Sequence, residues 1–418
     1  MSDTPWQSEG RWFTSPWNFL ESSREGLAFP RRVRFHDVTL RDGEQQAGVA
    51  FIREDKVAIA KRLAKAGLDR IEAGMPMVSP QDEAAIKEIV QADLGPEIFA
   101  FCRCIVDDVQ LAKACGVTGV VIEIPSSTHI IERAYKWPLQ RAIDASVEAT
   151  LAAKDEGLYT VFFTIDSSRA EFDWYLDLIE RVATDGHMDA LALVDTFGGV
   201  TPQAIPTWVA RVRERLPGVP LEAHFHDDFG MAVASSIAAL AAGVEVVHTT
   251  VTGIGERAGN TPMEELALAL RMLYDVDHGL RTEEFYALSR LVRERAGHQI
   301  PSNRAVVGER LFEVESGIIA GWYAQCVEEH PTELFPYHWS MVGQPPARVV
   351  YGKGSGLPSV ALALAALGIS AEDEEMRELL TTIKERALAT KALLPFEEVV
   401  EIVKERLGSL VGVPEPTG

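Results

Sequence analysis

From residue 31 onward, apolar runs of strand length alternate with amphipathic stretches of helical length. The pattern predicts strands at Val33–Leu40, Asp69–Gly74, Glu97–Arg103, Val117–Ile124, Tyr159–Asp166, Asp189–Thr196, Pro220–Asp227 and Val244–Val251. Helical stretches such as Glu54–Ala66, Leu139–Glu156, Glu171–Asp185 and Met231–Ala242 fall between them. Gly67, Gly116, Gly157 and Gly243 follow helical segments, where a left-handed cap is required. Eight strand–helix units in about 250 residues have the size and rhythm of a (β/α)8 TIM barrel. A doubly wound open sheet, the alternative, usually carries a Gly-rich phosphate turn after its first strand. The chain has Arg41-Asp-Gly-Glu-Gln-Gln46 there, so the α/β barrel is expected.

The alternation stops after Tyr274. Helices are predicted at Thr282–Ala296, Pro358–Leu367, Ala371–Thr390 and Pro395–Leu407, around an irregular, Pro- and Gly-rich stretch at Glu328–Ser355. Residues 1–30 hold Trp6, Trp12 and Trp17 without periodicity and read as an arm against a surface. The expected organisation is an arm (1–30), a catalytic barrel (31–280) and a mostly helical C-terminal region (281–418).

Composition narrows the picture. The chain is 47% hydrophobic and 24% charged, as a soluble globular protein is. Neither a membrane-spanning run nor a secretory leader is read from it. Four scattered cysteines fit a reducing cytoplasm, with Cys102 and Cys104 as buried packing residues. A net charge of −22 argues against nucleic acid and anionic membranes as partners. It also requires that a site for an anionic substrate bring its own cations, for which Arg41, Arg103 and Arg169 are the candidates.

His224-Phe-His226 carries the candidate chemistry. A strand sends alternate side chains to one face, so the two imidazoles point together. Barrel active sites lie at the C-terminal strand ends. Arg41 and Asp42 end the first strand, Glu72 the second, Asp195 and Thr196 the sixth, and the two histidines the seventh; Asn260 follows the eighth. Closure makes strands 7, 8 and 1 neighbours, so Asp42, His224, His226 and Asn260 should converge. Two histidines and a carboxylate leave coordination positions open, as a catalytic metal site does.

Five stretches resemble the metal-dependent barrel family of 2-isopropylmalate, homocitrate and citramalate synthases and 3-hydroxy-3-methylglutaryl-CoA lyase. They are Asp37-Val-Thr-Leu-Arg-Asp-Gly-Glu-Gln45, Ile71-Glu-Ala-Gly-Met-Pro76, Val194-Asp-Thr-Phe-Gly198, His224-Phe-His-Asp-Asp228 and Gly253-Ile-Gly-Glu-Arg-Ala-Gly-Asn260. Val306-Val-Gly-Glu-Arg, Glu315-Ser-Gly-Ile318 and Gly352-Lys-Gly-Ser-Gly356 look like the regions that follow the barrel in the synthases.

The resemblance implies a Claisen-type condensation of acetyl-CoA, or another acyl-CoA, with a 2-oxo acid. Asp42, His224 and His226 would hold a divalent cation (Mg, Mn or Zn), with Asn260 as a further ligand or a holder of its water. Arg41 would offset developing negative charge, with Glu72 beside it, and Gln45 would place the acyl group. Thr196, Arg169 and Glu222 would bind substrate. A homodimer, by analogy with the family, is expected. There are departures. Ile319 stands where the synthases carry a histidine assigned to acid–base work, and His330, Tyr337 and His338 are the candidates to replace it. Gln46-Ala-Gly48 replaces the usual Ser-Pro-Gly. The alternatives are a carbon–carbon lyase or aldolase using the same metal and Arg41, and a catalytically reduced barrel that binds a metabolite. A non-haem iron oxygenase also uses two histidines and a carboxylate, but Arg41 and the barrel rhythm fit it poorly.

Overall fold

The computed structural model describes residues 4–408. These form two compact units: one comprises residues 16–301 and 305–307, the other residues 4–15, 302–304 and the chain from Gly308.

The larger unit is a closed barrel of eight parallel strands. They are β1 (Arg34–Asp37), β2 (Arg70–Glu72), β3 (Glu97–Arg103), β4 (Gly119–Pro125), β5 (Tyr159–Ile165), β6 (Ala190–Asp195), β7 (Leu221–Phe225) and β8 (Val246–Thr249). Each pairs with its sequence neighbour, and β8 closes on β1 with Val246 opposite Arg34 and Thr249 opposite Asp37. The helices are α1 (Arg53–Ala66), α2 (Pro80–Gln91), α3 (Val106–Cys115), α4 (Leu139–Asp155), α5 (Phe172–Asp185), α6 (Ile205–Arg215), α7 (Ala232–Ala241) and α8 (Met263–Tyr274), with α9 (Phe285–Ala296) after them. Helix α5 shows why they cover the sheet: Tyr175, Leu178, Ile179 and Val182 recur at helical spacing and are buried. They join Phe162, Leu191 and Leu193, the outward residues of β5 and β6, in one apolar layer.

The inward residues form a second core. Phe99, Phe101, Val121, Val161, Phe163, Ala190, Ala192 and Val194 fill the barrel. Arg70 closes the interior near the N-terminal strand ends, paired to Glu97 at 2.8 Å and stacked over Phe99 and Tyr159. The interior is therefore mainly apolar on the β3–β6 side, with Glu123 of β4 as an exception, and polar where β7, β8, β1 and β2 meet, which is also the side of the candidate metal ligands.

Two expectations need revision. The first strand stops at Asp37 rather than Leu40, because the amides of Arg41, Asp42 and Gly43 all turn back onto the Val38 carbonyl, at 3.2, 2.9 and 3.2 Å. The arm is also not one element. Residues 16–30 belong to the barrel unit, where the Ala28 amide bonds the Ala241 carbonyl and the Arg24 guanidinium bonds the Tyr274 carbonyl. Residues 4–15 belong to the other unit, where Trp12 bridges to Tyr337.

The smaller unit is mostly helical: α10 (Gly317–Cys326), α11 (Leu357–Ala366), α12 (Asp373–Thr390) and α13 (Phe396–Leu407). The last three pack through Val360, Leu364, Leu379, Ile383, Val399 and Val403. Helix α10 was not expected: Gly317 and Gly321 break its pattern, and Ile318 and Trp322 are exposed. Among the described residues, no helix is long and apolar enough to cross a membrane.

Candidate active site

The turn after β1 lifts Asp42 over the barrel mouth, where strands 7 and 8 bring the rest. Asp42 Oδ2 lies 3.4 Å from His224 Nε2 and 3.7 Å from His226 Nε2, and those two nitrogens are 3.3 Å apart. Asn260 donates from Nδ2 to Asp42 Oδ1 at 2.8 Å. All four side chains are buried. The Gly253–Asn260 loop is shaped for this approach. A Cβ on Gly255 would overlap Asn260 Nδ2 and come within 3.0 Å of Asp42 Oδ1. Gly259 has φ +91°, and a Cβ there would collide with the Gly253 carbonyl.

Arg41 sits in the same layer. Nε donates to Glu72 and Nη1 to Asp42 (2.9 Å) and Gln45 (3.2 Å). Its guanidinium lies 4.1 Å from the Phe101 ring centroid. Burial opposes ionisation of Asp42, but Arg41 and the two imidazoles outweigh it and hold the carboxyl well below its usual range. Burial pulls His224 down to about 3, against the opposing pull of Asp42, so the ring is neutral.

This set fits a divalent cation. His226 Nδ1 lies 3.1 Å from the Gly259 carbonyl, which can only accept, so Nδ1 is the donor nitrogen and Nε2 is the one turned toward Asp42. Asn260 Oδ1 is buried and takes no partner. Imidazole and carboxylate donors together suit Mn²⁺, Zn²⁺ or Mg²⁺. Arg41 Nη2 is also buried without a partner, a guanidinium N–H left for an incoming oxygen.

The remaining candidates are placed as follows. Thr196 lies one residue past β6 and accepts the Asp166 amide at 2.9 Å. Arg169 is held by Asp166 at 2.6 and 3.0 Å and lies over Phe197; Arg103 is held by Asp108, with both bonds at 2.8 Å. Both expected anchor cations thus rest in ion pairs with half-exposed guanidinium groups. Glu222 was expected to bind substrate, but the structure places it a layer deeper than the cluster. Its two oxygens are taken by Arg70 at 2.6 Å and His248 at 2.8 Å, because residue 222 lies one inward step closer to the strand's N-terminal end than His224. Tyr337 and His338 belong to the smaller unit, where Tyr337 packs on Phe312 and His338 stacks on Trp339. Ile319 lies in the first turn of α10.

Four polar residues inside the barrel escaped the sequence reading: His36, Arg70, His248 and Glu123. Glu123 follows Val121 on the inward face of β4, between Arg103 and Phe163. Burial pushes its carboxyl up to about 7, against the pull of Arg41 and Arg103. Its signal was a lone acid inside Val120-Val-Ile-Glu-Ile124.

Residues 32–292 match the HMGL-like family. A homocitrate synthase AksA of Methanothermobacter thermautotrophicus is 37% identical over 374 residues, 90% of this chain and 93% of that protein. A probable 2-isopropylmalate synthase of Ignicoccus hospitalis is 37% identical over 355 residues, 85% of this chain and 88% of its own. The crystal structure of HMG-CoA lyase from Brucella melitensis shares the fold, with a TM-score of 0.58 at 20% identity over 64% of this chain and 99% of that one. The chain is an enzyme and belongs to the HMGL-like family.

Proposed function

We propose that the barrel catalyses condensation of acetyl-CoA, or a close acyl-CoA, with a 2-oxo acid, giving a 2-hydroxy-2-carboxymethyl acid and free CoA. The convergence of Asp42, His224 and His226 beside two unpartnered buried atoms, Asn260 Oδ1 and Arg41 Nη2, carries this reading. The synthase names of its relatives support it.

Asp42, His224 and His226 would hold a divalent cation, with Asn260 Oδ1 as a further ligand or a holder of its water. That cation supplies Lewis-acid polarisation of the 2-oxo acid's ketone. Arg41 stands where charge develops. Glu72 holds its Nε, and Asp42 and Gln45 hold its Nη1, so Nη2 meets a forming oxyanion without reorganisation. Proton removal from the acyl methyl group yields the carbon nucleophile, and a carbon–carbon bond forms to the ketone carbon. The former ketone oxygen takes a proton to become the hydroxyl. Water then cleaves the thioester, releasing CoA as the thiol and the new carboxylate. Phe101 and Phe163 keep the side of the mouth near Arg41 apolar, which strengthens its attraction for an oxyanion.

The test is thiol release from acetyl-CoA across a panel of 2-oxo acids, with Mg²⁺, Mn²⁺ or Zn²⁺ supplied. Release that depends on both a 2-oxo acid and a metal is expected. No release with any of them, together with cleavage of a 2-hydroxy diacid or its thioester, would move the assignment to the lyase reaction.

A further inference from the structure

His224 presents its two ring nitrogens to different neighbours. Nε2 faces Asp42 and His226, whereas Nδ1 lies 3.3 Å from His248 Nδ1 on the adjacent strand β8. His248 Nε2 lies 2.8 Å from Glu222 Oε2, and Glu222 Oε1 accepts from Arg70 Nη1 at 2.6 Å. His36 Nδ1 stands farther off, 3.8 Å from Glu222 Oε2, as a third group of this cluster. All of these side chains are buried.

With neutral rings, one assignment of protons satisfies the file. Arg70 can only donate and the Glu222 carboxylate can only accept, so His248 Nε2 carries its ring's proton. His248 Nδ1 is then an acceptor, and His224 Nδ1 must donate to it. That leaves His224 Nε2 bare, facing Asp42 and His226. A buried metal-binding imidazole is commonly fixed through its other N–H, and removal of that outer partner weakens the metal site. Here the partner is a second imidazole, itself fixed by an ion pair deep in the barrel.

The geometry points to His248 and Glu222, backed by Arg70, as positioning residues that fix the His224 tautomer and thereby set the affinity of the cluster for a divalent cation. This rests on the reading that Asp42, His224 and His226 hold such a cation. It also assigns Glu222 a role other than contact with substrate.

The file has a direction, and a near-isosteric change should reverse it. In Glu222→Gln the Arg70 N–H still requires an acceptor, so the amide oxygen faces Arg70 and its NH₂ faces His248 Nε2. His248 Nε2 then accepts, His248 Nδ1 donates to His224 Nδ1, and the His224 proton moves to Nε2. His248→Leu removes the acceptor outright. His248→Asn keeps an oxygen near the Nδ1 position.

The experiment is Mn²⁺ titration of the full chain, with thermal unfolding of each variant, and nitrogen-15 NMR of the histidine rings in wild type. Glu222→Gln and His248→Leu should weaken Mn²⁺ binding about 10- to 100-fold, and His248→Asn should restore most of it. The wild-type His224 spectrum should show protonated Nδ1 and bare Nε2. Wild-type His224 protonated at Nε2, or Mn²⁺ affinities unchanged in folded Glu222→Gln and His248→Leu, would overturn the proposal. Failure of wild type itself to bind Mn²⁺ would instead refute the metal reading, and the ring spectrum would still decide the tautomer without any variant.

Discussion

Gly255→Ala probes the cluster without removing any proposed ligand. The added methyl would overlap Asn260 Nδ2 and lie 3.0 Å from Asp42 Oδ1, tighter than most real Cβ contacts. Asp42 is held by Arg41 and faces two imidazoles, so Asn260, at the end of its loop, is the group that yields. Its 2.8 Å bond to Asp42 is then lost. A hydrogen bond to a charged group contributes about 1.5–3 kcal/mol, which sets the expected loss of stability. Displacement of Asn260 Oδ1 also removes one oxygen from the proposed metal environment. Loss of such a supporting contact corresponds to a 10- to 100-fold weaker metal site, about 1.4–2.7 kcal/mol. Mn²⁺ titration of wild type and variant, followed by melting curves with and without Mn²⁺, measures both effects. The variant should melt earlier, and added metal should raise its melting point less. A Gly255→Ala protein with wild-type Mn²⁺ affinity would refute the claim that the loop's close approach builds the site.

Other consequences follow from the same geometry. Arg41→Lys keeps a charge but loses the fork that reaches Glu72, Asp42 and the open Nη2 direction, so kcat for CoA release should fall about 10²- to 10³-fold; a drop below fivefold would contradict the oxyanion role. Lys56 is buried between Glu44, at 2.6 Å, and Asp82. Its replacement by Met should cost about 3–5 kcal/mol in chemical denaturation, because two carboxylates lose their cation; a loss under 1 kcal/mol would show that solvent reaches them. Burial pushes three carboxyls up, against the pull of hydrogen bonds or arginines: Asp37 to about 7, Glu123 to about 7 and Glu264 to about 8. The folded state holds these protons more tightly than the unfolded chain, so their contribution is complete below the ordinary carboxyl range and is lost as pH rises toward 8. Each pH unit crossed removes about 1.4 kcal/mol per group at most. Burial lowers His36 and His224 to about 3 and His278 to about 4, so these rings add stability as pH rises toward the ordinary histidine range and offset the carboxyls there. Above that range stability should fall toward pH 8, and Glu264→Gln should flatten that slope; an unchanged slope would show that Glu264 is not a contributor.

The barrel and the four-residue cluster were legible because each rests on a rule that sequence carries. The alternation of strand and helix gives the barrel. The two-residue repeat of a strand places His224 and His226 on one face, and closure places Asp42 and Asn260 beside them. What sequence did not carry was depth along the barrel. Glu222 and His224 share a face, but one inward step separates a residue tied to Arg70 from one at the mouth. His36, Arg70 and His248 were passed over because a single polar residue in a short strand looks the same whether it faces solvent or the barrel axis. The ion pairs of Arg103 with Asp108 and of Arg169 with Asp166 were not legible either, because they form through local turns. The end of β1 was misjudged because Val38-Thr-Leu40 keeps an apolar pattern through a turn whose three amides converge on one carbonyl.

The central claim is that side chains nearly two hundred residues apart share one divalent cation, and direct counting of bound metal tests it. Equilibrium dialysis against Mn²⁺, with metal analysis of the retained protein, should give one ion per chain for wild type and almost none for Asp42→Ala or His226→Ala at the same free Mn²⁺. Equal metal content in all three proteins, each shown to be folded, would contradict it.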